Sequence, residues 1–275
     1  MKKKFSFREF FPLLITIIMV SLMISCSEDE EKEDPPELPP MEALLMDFSN
    51  FNNPNDTLSH KKSIESYRNW GHSYFTVAIW SWIATVSVTV PVIAYAEAFN
   101  HTPVYLGDNS WEWSYTKNIN LIEYSVRLVS KRISNEQFTL KMYVTKSGIG
   151  GYEDFLWFEG TVRYDRTSAT WTLYENPADP NGLLSIEWEM DWEEETYMIK
   201  YTGIKPGAAE YGSYIQHGVT TDTDYNAYYI ISGSMNTVEI NWNTQNLSGR
   251  VKDPVKFGDN QWHCWDETLQ DVICE

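Results

Sequence analysis

The sequence predicts a mainly β protein, an antiparallel meander that is barrel-like (lipocalin-like in shape) or folded as a sandwich, with one packed α-helix near the N-terminus. Three observations carry this expectation. Phe138, Leu140, Met142 and Val144 alternate with Thr139, Lys141, Tyr143 and Thr145, and the pattern recurs in Ile186–Glu193 and Val238–Asn243. Period two marks strands with one buried and one wet face, as in antiparallel sheets. Turn-forming clusters of Gly, Asn, Asp, Ser and Pro recur at short intervals after residue 130, which gives about ten strands in sequence order. The third observation is a stretch without charge, Ser73 to Ala96, ahead of the alternating region.

From the N-terminus, Lys2, Lys3, Lys4 and Arg8 precede an apolar run from Phe10 to Ile24 that ends in Leu22-Met23-Ile24-Ser25-Cys26, followed by Ser27-Glu28-Asp29-Glu30-Glu31. A basic, then apolar, then small-residue order is that of a cleaved export signal over residues 1–25. The segment resembles a bacterial lipoprotein signal, with Met23 where such signals usually carry Leu, and the acidic run after the cysteine resembles the export signal of surface lipoproteins of the Bacteroidota. That resemblance implies lipidation of Cys26, anchorage to the membrane through the lipid, and display at the outer-membrane surface. Residues 26–40, rich in acids and prolines, cannot build a core and read as an extended tether. A single β-rich domain is expected over 41–275.

Within that domain, 41–53 is short and apolar, a first strand or a short helix. The segment from about 59 to 100 is expected to be a helix capped by Ser59 and kinked or ended by Pro91. Its length approaches that of a membrane span, but Ser81, Thr85, Ser87 and Thr89 favour a buried or groove-lining helix, with Thr85–Val90 as an alternative strand. The sheet is expected from about 103 to 266. A lipid-facing barrel is excluded, because the wet faces of the strands carry rows of acids.

The formal charge is −18 over 275 residues. Such a surface repels nucleic acid and anionic membranes. Cys264 and Cys274 remain once Cys26 is set aside, and an exported chain meets oxidising conditions, so a Cys264–Cys274 disulfide is expected.

No catalytic or metal-binding motif stands out. The histidines are scattered, and neither a nucleophile elbow nor a phosphate loop is present. Glu187, Glu189, Asp191 and Glu193 fall on one strand face about 6–7 Å apart. Carboxylates at that spacing can ligate Ca²⁺, with Glu187, Glu189 and Asp191 as the candidate ligands, or act as a glycosidase pair; a solvated outer face is the simpler reading. The 12 Trp and 17 Tyr supply flat rings suited to sugar faces or to core packing. Trp111, Trp113, Trp157, Trp262 and Trp265 are the candidate platform residues, whereas Trp188, Trp192 and Trp242 fall on the apolar face. His263 is placed to pair with Asp266. Asp56-Thr57-Leu58 resembles the acceptor for O-glycosylation in exported Bacteroidota proteins, which would modify Thr57. The expected role is non-catalytic binding of a glycan or another small extracellular ligand. The alternatives are a structural component contacting a partner surface protein, and a glycan hydrolase.

Overall fold

A computed structural model describes residues 34–51 and 68–274. Fourteen strands form one antiparallel sheet in which each strand pairs with its sequence neighbours. The strands are β1 (Val104–Gly107), β2 (Ser110–Ile119), β3 (Ile122–Arg132), β4 (Gln137–Lys146), β5 (Tyr152–Arg163), β6 (Ser168–Asn176) and β7 (Asp179–Asp191), then β8 (Thr196–Gly203), β9 (Tyr214–Val219), β10 (Ala227–Ser232), β11 (Thr237–Trp242), β12 (Gly249–Lys252), β13 (His263–Trp265) and β14 (Asp271–Val272). The expected meander is therefore present, with more strands than the ten expected. The additional ones include four-residue β1 and β12 and two-residue β14, too short for alternation to show.

Alternation decides which face is buried. In β4, Phe138, Leu140, Met142 and Val144 are at most 1% exposed, while their neighbours face solvent. Cross-strand ion pairs hold the wet face: Arg127 with Glu112, Lys141 with Glu159, Lys252 with Glu239. The register slips between Met142 and Tyr143, opposite Leu156, Trp157 and Phe158 of β5. Such a bulge leaves an extra residue on one strand, and it explains why Phe155–Phe158 shows no period of two.

The helix α1 runs Arg68–Ala98 and passes through Pro91 without ending. Ser73, Val77, Ala84, Val88, Ala94, Tyr95 and Ala98 form its buried stripe. That packing overrides the poor helix propensity of the β-branched run at 85–90, which is helical and not a strand. The opposite face is not buried as expected: Phe75 is 66% and Trp82 70% exposed, with Ile79 also open to solvent. Among the described residues no helix is long and apolar enough to cross a membrane.

α1 contacts β2 and β3 near the start of the sheet and β12, β13 and β14 at its end. It thus joins the two ends of an open sheet. At its N-terminus Asn69 donates from Nδ2 to the Cys264 carbonyl (2.8 Å) and from its backbone N–H to Asp271 (3.0 Å). One turn on, His72 Nε2 lies 2.7 Å from Asp253. Asp253 also accepts from Asn236 and caps the one-turn helix α2 (Pro254–Phe257) through Val255 and Lys256. Burial opposes its ionisation, but the bonds from Lys256, Asn236 and His72 prevail and hold the carboxyl below its ordinary value.

Residues 35–51 contain two 3-10 turns, Met41–Ala43 and Ser49–Phe51, and no strand. Ala43, Leu44, Met46 and Phe51 are buried against the inner face of the sheet. Irregular backbone in a core needs side-chain partners. Trp171 donates to the Ala43 carbonyl (2.7 Å), and Tyr95 to that of Pro39 (2.7 Å). Tyr201 donates to the Leu44 carbonyl (2.8 Å) while accepting from the Met46 N–H (2.7 Å).

Candidate functional site

The residues singled out in the sequence do not converge. Trp111 and Trp113 are 7% and 4% exposed on the inner face of β2, and Trp265 is 2% exposed with its ring N–H on the Leu247 carbonyl. These three fill the core and present no platform, because their strand positions point them inward. Trp157 packs beside Tyr124, Tyr152 and Phe155 at the bulge. Trp262 lies on the wet face under the cations of Arg250 and Lys252, with Arg250 also stacked on Tyr225. Trp192 corrects a further expectation: it sits in the β7–β8 turn, 49% exposed, and not in the core.

Glu187, Glu189 and Asp191 do share the wet face of β7, but Glu193 falls in the following turn. Glu187 faces Lys200 at 3.5 Å. Asp191 turns one oxygen back to the Glu193 and Glu194 N–H groups. Among the described residues no three His, Cys, Asp or Glu side chains are grouped as a metal would require. The carboxylates thus stand as a row and not as a Ca²⁺ ligand set.

The Cys264–Cys274 disulfide is formed, with Cα atoms 5.2 Å apart. His263 pairs with Asp259 (3.1 Å) and not with Asp266, whose carboxylate is taken by the Thr268 and Gln270 N–H groups. Cys26 and Thr57 lie outside the described residues.

A concavity that no single strand announces is built where the β5–β6, β7–β8 and β9–β10 turns cluster. It is open to solvent and has a volume of about 610 Å³. β7 contributes Glu189, Met190 and Asp191, and β8 contributes Thr196, Tyr197 and Met198. Hydroxyls of Thr167, Ser168, Thr220 and Thr221 border it, and Tyr228 of β10 completes the lining. The Tyr228 ring lies across Gly218, its register partner on β9. A Cβ at 218 would sit 2.5 Å from the ring carbons and the phenol oxygen. Glycine is what allows the ring to lie flat on the sheet. Gln216 donates to the Tyr228 hydroxyl at 3.0 Å and fixes it in place. Among the described residues Glu189 has no hydrogen bond or ion pair, so its carboxylate is free to accept from a ligand.

Behind the groove Tyr197 points inward to His217 (Oη to Nε2 3.0 Å). His217 Nδ1 lies 3.0 Å from the Tyr228 carbonyl. A carbonyl can only accept, so Nδ1 carries the proton and Nε2 accepts from Tyr197. Tyr229 and Trp242 stack on the imidazole. Burial drives its pKa down to about 4, against the raising effects of the Tyr228 bond and the Asp47 charge. Desolvation likewise pushes the Tyr197 phenol up to about 12. A neutral imidazole sealed by two aromatic faces is a structural support for the groove wall.

Among the described lining residues both carboxylates, Glu189 and Asp191, come from the same face of β7. The sequence singles out Glu189 and Asp191 as candidate Ca²⁺ ligands, and does not single out Tyr228, Gly218 or His217 for this groove. Gly218 inside an apolar alternating run was the available signal, since glycine in a strand marks a close approach. No protein-family model, curated protein or solved structure matches the chain.

Proposed function

We propose that the protein is a non-catalytic binding module for a glycan or a similar polyhydroxylated extracellular ligand, displayed at the outer-membrane surface through a lipid on Cys26. The observation that carries the reading is the groove: a flat, immobilised aromatic ring beside unpaired carboxylate oxygens and a border of hydroxyls. A sugar presents an apolar face and a rim of O–H donors, and these need a ring and acceptors in one concave site. Pro35–Glu275 form one compact unit, so the chain from residue 27 onward is a suitable soluble reagent. Screened on a glycan array and followed by calorimetric titration, it should show saturable binding that Tyr228→Ala weakens about fivefold or more. A folded protein that retains no glycan removes the proposal, and release of shortened sugars would turn it towards hydrolysis.

A second reading is favoured by the exposed face of α1. Phe75, Ile79 and Trp82 are open to solvent in a segment without charge, and such patches support contact with a partner surface protein. Cross-linking from α1 in intact cells tests it. Loss of a specific adduct in Trp82→Glu supports the contact, and an adduct unchanged by that variant counts against it.

A further inference from the structure

A second hollow lies on the wet face, beside the groove. It is an open depression of about 440 Å³ and runs from β4 to β7. Its wall is rich in hydroxyls, from Thr139, Thr161, Thr170, Thr172 and Ser185. The lysine in that wall, Lys141, is already neutralised by Glu159 at 2.6 Å. The two hollows share β6, where Ser168 lines the groove and Thr170 the second hollow. Residues two apart on a strand point to the same side, about 6–7 Å from one another. On β7 their register partners are Glu189 and Glu187.

With strands spaced about 4.8 Å apart, the path from β10 to β4 covers roughly 29 Å. That is long for a monosaccharide and suits a chain of several sugar rings. The chemistry along it is uniform. Hydroxyls exchange donor and acceptor roles with a sugar's own hydroxyls. Among the described residues no lysine, arginine or histidine lines the groove, and Lys141 is taken. An acidic sugar would bring its carboxylate against Glu189 and Asp191, while Lys200 on the neighbouring strand is already paired with Glu187 at 3.5 Å.

We propose that the two hollows are successive subsites of one trough, and that its ligand is an extended, uncharged oligosaccharide laid across the strands. This inference rests on the glycan reading of the groove. Calorimetry on the chain from residue 27 onward tests it, with linear gluco-, manno- and xylo-oligosaccharides of two to six units against oligogalacturonates of equal length. The preferred neutral series should gain about tenfold or more in affinity from dimer to hexamer as the second subsite fills. Oligogalacturonates should bind at least about tenfold more weakly at low ionic strength. Thr170 is exposed in the lining of the second hollow, so Thr170→Lys should remove the gain with length. A flat affinity across lengths, or acidic oligomers binding as tightly as neutral ones, overturns the inference while leaving the glycan reading in place. Failure of every saccharide at every length overturns the glycan reading itself.

Discussion

Adding one methyl group at Gly218 should weaken binding in the groove with little effect on the fold. A Cβ there would sit 2.5 Å from Cε1, Cζ and Oη of Tyr228, whereas ordinary contact begins at 3.4 Å. The ring must therefore move outward by about 1 Å or rotate away. The displaced atoms are the far end of a partly exposed side chain, so the fold has room to accommodate them. The strand geometry at 218 is not in the left-handed region, so alanine brings no backbone strain. Displacement also strains the 3.0 Å bond from Gln216 that fixes the ring. Losing one stacking surface costs about 1 kcal/mol, which is roughly a fivefold increase in Kd. Titration of Gly218→Ala with the saccharide that the wild type binds gives this number, and urea unfolding measures stability in parallel. Unchanged affinity in a protein with unchanged unfolding would refute the role assigned to the Tyr228 ring.

Tyr201→Phe should destabilise the protein by about 2–4 kcal/mol, because it leaves the Leu44 carbonyl and the Met46 N–H unpaired in the core; a midpoint shift worth less than about 1 kcal/mol in urea would show that 35–51 is not held by that hydroxyl. Cys264→Ser with Cys274→Ser opens a ten-residue link, for which chain entropy gives a loss of about 2.7 kcal/mol, readable as a lower thermal midpoint that reducing agent reproduces in the wild type. His217 adds an acid-sensitive contribution. Its folded pKa is lowered to about 4 from 6.5, so the unfolded chain takes up the proton first as pH falls. Its share of stability is intact above pH 6.5 and is lost towards pH 4, by about 3 kcal/mol in all. The pH dependence of unfolding in His217→Gln should be shallower than in the wild type over that window, and equal slopes would contradict the buried neutral state.

The sheet was legible because alternation is a local signal: β4 and β11 can be read from six to ten residues each. Segment 35–51 was not, because its backbone is stabilised by Trp171 and Tyr201, which lie more than a hundred residues downstream. Trp192 misled because alternation carried past Asp191 into a turn, where its ring N–H reaches the Arg166 carbonyl. The groove combines the ends of β7, β8 and β10 with three loop borders. Period two says which face a residue occupies, and the depth of a concavity depends on neighbours that sequence spacing does not supply. The outward face of α1 was hidden for a similar reason: a segment apolar all round implies burial all round, and only the packing shows that one side is covered.

The way α1 joins the two ends of the sheet carries a consequence for the order of assembly. Each hairpin of the meander pairs residues close in sequence, so strands can add one after another as the chain is extended. The seam is different: Asn69 meets Cys264 and His72 meets Asp253, across 195 and 181 positions. Loop closure over such distances is slow relative to hairpin formation. The helix is synthesised early and reaches its second docking surface last, so until β12–β14 arrive its N-terminal turns lack the partners Asp253, Cys264 and Asp271. Until that seam closes, β1 and β14 remain two free ends of one sheet, and the last step of assembly is to bridge them.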